Sequence, residues 1–331
     1  MPDKIVVDAM GGDFAPKVVI QGAYLAQAQM GISSLVLVGD EARLKTLIAQ
    51  LPSPGLKAEI LHASQTIQMD ESPVIACRKK PNSSIMVGLK YLKDGHASGF
   101  VSAGNSGAVM TAGYMILGCI PGISRPAIAS LFPVGHGRAI ILDVGANVDC
   151  CAEHLLQFAR LGSAYAQVIF GKKNPSIGLL NIGTEKGKGN RLTISTYKLL
   201  EASNLNFYGN IEGFDISNDV VDVIVCDGFV GNVIVKVYEG ITNWIRTEMF
   251  DESSKSKSKK YVRDRFTSVD EKLNYEKYGG LPLLGLNGVC IIAHGSSSER
   301  AIAYAIRAAS ETVKGNLINR ITDAFARQIH V

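Results

Sequence analysis

Apolar positions along the chain fall into short runs, and between these runs they recur every three or four residues. The runs at 5–7, 34–38, 98–101, 127–133 and 139–144 read as strands, as do 176–182, 221–226 and 289–293. Segments 16–29, 152–169, 230–249 and 298–313 carry helical spacing. Apolar strands without strict in–out alternation, separated by helices, predict a mostly parallel sheet covered on both faces. The expected fold class is α/β, doubly wound, with two lobes and a cleft between them.

Most of these strands run into a turn of one kind: Asp8-Ala-Met-Gly-Gly-Asp13, Ser102-Ala-Gly-Asn-Ser-Gly107 and Asp143-Val-Gly-Ala-Asn147. Later come Asn181-Ile-Gly-Thr-Glu185, Asp227-Gly-Phe-Val-Gly-Asn232 and His294-Gly-Ser-Ser-Ser298. Ligands of open α/β sheets bind outside the carboxyl ends of the strands. Glycine there lets the backbone approach a ligand, and the next helix offers unpaired N–H groups to an anion. Recurrence of such turns at strand ends points to a composite anion site.

Composition narrows the class. A chain of 331 residues with 47% hydrophobic and 19% charged residues fits one large α/β unit. The lobes expected are 1–135 with 295–331, and 136–294. Cations number 34 against 30 anions and are spread along the chain, so no nucleic-acid partner is expected. Six cysteines without a C-x-x-C pair suit reduced thiols rather than disulfides or zinc. Without an apolar leader or an uninterrupted apolar span, a cytoplasmic protein is expected.

One segment breaks the pattern. Residues 255–265 read KSKSKKYVRDR, and the polar stretch continues to Tyr278 before Gly279-Gly-Leu-Pro-Leu-Leu-Gly-Leu286 turns apolar. This predicts a basic helical excursion at about 250–280, suited to an acidic partner or to anionic lipid. Common catalytic signatures are missing. No G-x-G-x-x-G follows the first strand, and Gly183-Thr-Glu-Lys-Gly-Lys-Gly189 is too short for a P-loop and lacks its Ser or Thr. Neither G-x-S-x-G nor H-E-x-x-H occurs.

Nine segments together resemble the phosphate acyltransferases of bacterial phospholipid synthesis (PlsX proteins). They are VDAMGGDFAP, VSAGNSGAVM, SRPAI, LDVGANVD, GLLNIGTEKGKGN, YGNIEGFD, CDGFVGNVIVK, GGLPLLGLNGV and IIAHGSSS, in order from 7 to 298. The resemblance implies a fold similar to isopropylmalate dehydrogenases and phosphotransacetylases, and a homodimer. It implies that inorganic phosphate takes the acyl group from acyl-acyl carrier protein; the chemistry of that step requires no cofactor or metal, and none is expected. It also implies peripheral contact with the inner face of a membrane, here through 250–286, although Lys and Arg stand where the family's hairpin carries apolar residues.

Such a reaction needs a held phosphate, stabilisation of an oxyanion and a departing thiolate. A thiol with a pKa of about 8.5 leaves readily, so no strong acid is required. The turns contain the necessary groups. Asn105 and Ser106 are expected to cradle phosphate, with Asn147 as a further donor, while Lys188 and Asn190 bring charge and N–H groups. Asn232 and Lys236 share a helix face; Asn232 and Lys188 are expected to be catalytic together with His294, and Lys236 to bind phosphate. His294 is expected to protonate sulfur or bind phosphate, and Ser296 and Ser297 to cap the next helix and face the oxyanion. Asp8, Asp143 and Asp227 are expected to orient loops, and Cys226 and Cys290 to be buried and structural. The competing readings are a phosphotransacetylase-type enzyme using acyl-coenzyme A, a metal- and nicotinamide-dependent decarboxylating dehydrogenase, and a non-catalytic membrane-surface scaffold.

Overall fold

The computed structural model describes residues 4–52, 55–135, 137–250 and 279–326. The expected basic excursion therefore lies almost wholly outside the described residues. Eleven strands form one sheet in the order β3-β2-β1-β4-β11-β10-β5-β6-β9-β7-β8. They are β1 (Ile5–Asp8), β2 (Leu35–Gly39), β3 (Ala58–His62), β4 (Gly99–Ser102), β5 (Ala127–Val134) and β6 (Gly137–Leu142). After these come β7 (Ile177–Leu180), β8 (Phe207–Ile211), β9 (Val223–Val225), β10 (Leu281–Leu284) and β11 (Val289–Ile292).

Seven of the ten pairings among described residues are parallel. The mostly parallel sheet expected from the sequence is thus present, and three strands went unread. β3 and β8 are half-buried edge strands, whose exposure dilutes the apolar run that marks a central strand. β10 carries Pro282 and is flanked by glycines, features that argue against a strand. It is nevertheless inserted antiparallel between β11 and β5.

Alternation along each central strand divides the core. Val6, Val36, Phe100, Cys290, Phe132, Ile141 and Ile224 face one side, under α3 (Pro73–Lys79), α4 (Ser84–Lys93) and α5 (Ser106–Leu117). Further along that side, α8 (Gly228–Phe250) packs Val235 and Tyr238 on the same core.

On the other side Ile5, Val7, Leu37, Val101 and Ile291 pack against α1 (Lys17–Met30) and α9 (Glu299–Lys314), with α2 (Glu41–Ile48) at the edge. Leu131, Ile140, Leu142, Leu179 and Val225 pack against α6 (Ala152–Ile169), α7 (Arg191–Glu201) and α10 (Leu317–Ala326). Burial on both faces is why these strands read as continuous apolar runs. β11 pairs with β4, so the carboxyl-terminal strand returns to the half built from the first strands and brings His294 beside the turn after β4. No helix among the described residues is long and apolar enough to cross a membrane.

Candidate active site

β11 ends at Ile292, and the chain turns through His294-Gly-Ser-Ser297 before α9. Ser298 is the N-cap, its hydroxyl accepting from the Ala301 N–H at 3.3 Å. That corrects the expectation that Ser296 and Ser297 cap this helix, and it leaves both outside the capping position. Ser296 instead holds the histidine. Its backbone N–H donates to His294 Nδ1 at 3.3 Å, and its hydroxyl lies 2.8 Å from the same nitrogen. A ring nitrogen that accepts an N–H carries a lone pair, so the proton of the neutral imidazole sits on Nε2.

The turn after β4 is built from beneath. Asp8, at the end of β1, is buried and accepts the Ser102 hydroxyl at 2.7 Å and the Met10 N–H at 3.1 Å. Ser102 Oγ in turn accepts the Gly104 N–H at 3.0 Å. Gly11 is required here, because a Cβ at that position would strike Asp8 Oδ2 and the Gly104 backbone. Asn105 caps α5, accepting from the Ala108 N–H at 3.0 Å. Its amide donates to the carbonyls of Gln68, Met69 and Glu71 at 3.3, 3.1 and 2.9 Å. Asn105 thus fastens the 68–71 loop to the helix start, while Ser106 is exposed.

The two turns meet in one cleft of about 120 Å³, lined by Ser106, His294 and Ser297. Ser130, Phe132, Tyr238 and Glu239 also line it and were not anticipated. The sequence held one signal for the last two. Val235, Tyr238 and Glu239 recur at helical spacing along a single face of α8. Asn232 and Lys236, singled out from the sequence, lie on exposed positions, and Lys236 Nζ is 2.7 Å from Glu239 Oε2.

A third turn anchors α8. The Asp143 carboxylate accepts from the N–H groups of Ile128, Gly145, Ala146 and Asn147. The Asn147 amide donates to Asp143 Oδ2 at 2.9 Å and to the Pro126 carbonyl at 2.8 Å, so this side chain also locks a loop. Gly231 passes so close to the Asp143 carbonyl that a Cβ there has no room. Asp227 accepts the Val230 N–H at 2.9 Å at the start of α8. All three aspartates orient loops, as expected.

Asn190 caps α7, accepting from Thr193 at 2.9 Å, and lines a second cleft with Leu180, Ile182, Asp227, Val230 and Ile234. Lys188 is exposed in the adjoining loop, 4.0 Å from Glu185. The structure therefore brings Ser106, His294 and Ser297 together, whereas the turn carrying Lys188 and Asn190 borders separate space.

Burial raises the Asp8 carboxyl above its ordinary range, opposed by hydrogen bonds from Ser84, Ser102 and the backbone. Asp143 is raised for the same reason, opposed by Asn147 and backbone N–H groups. All six cysteines are free, with Cys77, Cys226 and Cys290 buried. Burial pushes Cys290 to about 12 and Cys226 well above the ordinary thiol value, so neither is a thiolate near neutrality.

Comparison with known proteins agrees with this architecture. A phosphotransacetylase from Streptococcus pyogenes superimposes with a TM-score of 0.64 at 20% identity, covering 94% of each chain, which shows the fold. A phosphate acyltransferase of Pelotomaculum thermopropionicum is 46% identical over 96% of this chain and 94% of its own. One from Desulforamulus reducens is 44% identical over 97% of both. The family described as fatty acid synthesis protein matches residues 3–320, and the chain belongs to that family.

Proposed function

We propose that this chain is an acyltransferase that moves an acyl group from a thioester to inorganic phosphate, with acyl-acyl carrier protein as donor. The observation that carries the reading is the convergence of Ser106, His294 and Ser297 on one cleft at the carboxyl ends of β4 and β11. The relatives' name, phosphate acyltransferase, supports it.

Phosphate lies at the start of α5, held by Ser106 and by the unpaired N–H groups of the first turn. One phosphate oxygen attacks the thioester carbon, forming a C–O bond while the carbonyl becomes an oxyanion. Ser297 and the Nε2–H of His294 donate to that oxyanion. The intermediate collapses, the C–S bond breaks, and sulfur leaves with the bonding pair. As sulfur leaves, His294 gives it the Nε2 proton and takes the proton of monohydrogen phosphate back at Nε2, giving acyl phosphate and free thiol. Neither an acyl-enzyme nor a resident cofactor enters this balance.

Lys188, Asn190, Asn232 and Lys236 serve the donor rather than the reacting carbon. The basic run 255–265 adds to a positive field that suits an acidic carrier protein better than free coenzyme A. The exposed apolar stripe Val233, Val237, Ile241 and Trp244 on α8 supports a homodimer. Peripheral membrane contact through 250–286 at the cytoplasmic face completes the reading. The reading keeps two lobes; a seam between β10 and β5 would count 279–294 with the first lobe and 127–135 with the second.

Purified protein given phosphate and either donor, with hydroxylamine as trap, tests this. Hydroxamate formed faster from the carrier-protein thioester supports it. Preference for the coenzyme A thioester favours the phosphotransacetylase alternative, and no hydroxamate from either removes the activity.

A further inference from the structure

Loop 68–71 and α3 adjoin the His294 cleft on the side of α5. A Cβ at Gly295 would strike Met69 Cε, so this side chain rests on the turn that carries His294. A Cβ at Gly107 would strike Pro73 Cγ, so the first residue of α3 touches the helix start that carries Ser106. The Asn105 amide binds the carbonyls of Gln68, Met69 and Glu71, and Cys77 Sγ lies 3.5 Å from the Ala108 carbonyl. Loop and helix are therefore fastened along one flank to the turns that build the cleft.

The other flank faces water. α3 buries Ala76 and Cys77 and turns Val74, Ile75, Arg78 and Lys79 outward. Helical spacing places Val74 beside Arg78 and Ile75 beside Lys79, so the four make one face. It is apolar at the end near Ser106 and basic about 8 Å further along the helix. Met69, Val74 and Ile75 are 45%, 47% and 55% exposed, and apolar side chains left half in water at the rim of a cleft mark a contact surface. Lys80 pairs with Glu71 at 2.6 Å, whereas Arg78 and Lys79 enter no ion pair among the described residues. Asp70, the remaining carboxylate of 68–80, precedes α3 and so stands at the opposite end from the two cations.

We propose that this face is where the protein part of an acidic thioester carrier docks. Its carboxylates meet Arg78 and Lys79, its apolar side chains cover Met69, Val74 and Ile75, and its thioester arm crosses the rim to His294. This rests on the acyl-transfer reading of the same cleft. Charge complementarity selects the occupant: two cations without a partner call for an acidic surface, and rim charges of this kind steer encounter and fix orientation. Position selects it as well, because a lipid surface or a second copy of this chain seated on the rim would stand between the donor and His294. Asn105 then has a second consequence, since the amide that fastens loop 68–71 also holds the docking face in register with Ser106.

The test is fluorescence anisotropy of labelled acyl carrier protein at low salt, with wild type, the double variant Arg78→Glu/Lys79→Glu, and Ile75→Ser. The charge-reversed protein is expected to bind about tenfold to a hundredfold more weakly, and Ile75→Ser about threefold to tenfold. Added salt should weaken wild type and narrow the gap. In the hydroxamate assay KM for the carrier thioester should rise in the double variant, while KM for the same acyl group on pantetheine, which lacks the protein, stays within about twofold of wild type. If the double variant misfolds by circular dichroism, Arg78→Ala/Lys79→Ala carries the same expectation with a smaller shift. Unchanged carrier affinity in a folded variant overturns the inference, as does an equal loss with the pantetheine donor. Unchanged affinity together with lost flotation on anionic vesicles, or with loss of a dimer in sedimentation, would give the face to lipid or to a second copy instead. Absence of hydroxamate from wild type with every donor removes the acyl-transfer reading, whereas the anisotropy reports on the surface by itself.

Discussion

The backbone N–H of Ser296 donates to Nδ1 of His294 at 3.3 Å, and the Ser296 hydroxyl sits 2.8 Å from the same atom. A turn two residues long therefore fixes which ring nitrogen carries the proton. With Nδ1 occupied, the imidazole offers Nε2–H for donation, and no carboxylate is needed to orient it.

His294→Ala is expected to lower kcat by about 10²- to 10³-fold, the usual loss for an oxyanion donor or proton relay. Ser296→Ala retains the backbone donor and is expected to cost only about threefold to tenfold. Steady-state rates of acyl phosphate formation check both. Equal losses in the two variants would mean that the hydroxyl acts on substrate directly.

Asp8, Ser102 and Gly104 form a chain of hydrogen bonds beneath the turn after β4, where phosphate is proposed to bind. Ser102→Ala leaves a buried carboxyl short of a donor and is expected to cost about 1–3 kcal/mol in urea unfolding. KM for phosphate should rise more than kcat falls, because the turn rather than the reacting group is disturbed. Unchanged stability and unchanged KM would show that Asp8 is satisfied without the hydroxyl.

Much of this site was legible because strand-end turns announce themselves. Asp8, Gly104, Asp143, Gly231 and His294 all sit in Gly- or Asn-rich turns, where local backbone demands restrict the residue type. The sequence left open which polar side chains face a ligand. Asn105 and Asn147 look like phosphate donors by type, yet their amides bond to carbonyls of distant segments, and that depends on where loop 68–71 and Pro126 fold back. Ser130, Phe132 and Tyr238 were not recognised, because they meet only through the antiparallel placement of β5 and the docking of α8 on the Asp143 turn. Those are properties of tertiary packing, which no local pattern encodes.

Asp222 ties the starts of β7 and β9. It accepts from the Ser176 N–H at 2.9 Å and hydroxyl at 3.0 Å, and pairs with Lys172. Burial raises its carboxyl, but these partners together hold it below the ordinary value. A depressed folded pKa contributes stability that is present above the unfolded value, about 3.9, and is lost as pH falls through the folded one. Asp222→Asn should therefore be less stable than wild type at pH 7 by about 1 kcal/mol, and the gap should shrink below about pH 4. Urea unfolding at both pH values measures it, and a gap independent of pH would contradict the pairing.

Buried thiols exclude themselves as acyl carriers. With donor present and phosphate omitted, intact-mass spectrometry is expected to show only unmodified protein, since Cys226 and Cys290 stay protonated. Alkylation of the native protein should reach Cys151, the exposed thiol, before any other. A stoichiometric acyl adduct would replace direct attack with a two-step transfer.

Phosphorus NMR of the purified protein with acyl-acyl carrier protein and fully ¹⁸O-labelled phosphate examines direct attack at its centre. Attack by phosphate oxygen predicts a growing acyl phosphate signal whose product keeps every labelled oxygen, abolished in His294→Ala to about 1% or less of the wild-type rate. Thioester that persists unchanged, or is consumed to free fatty acid with the phosphate signal constant, would contradict acyl transfer to phosphate by this chain.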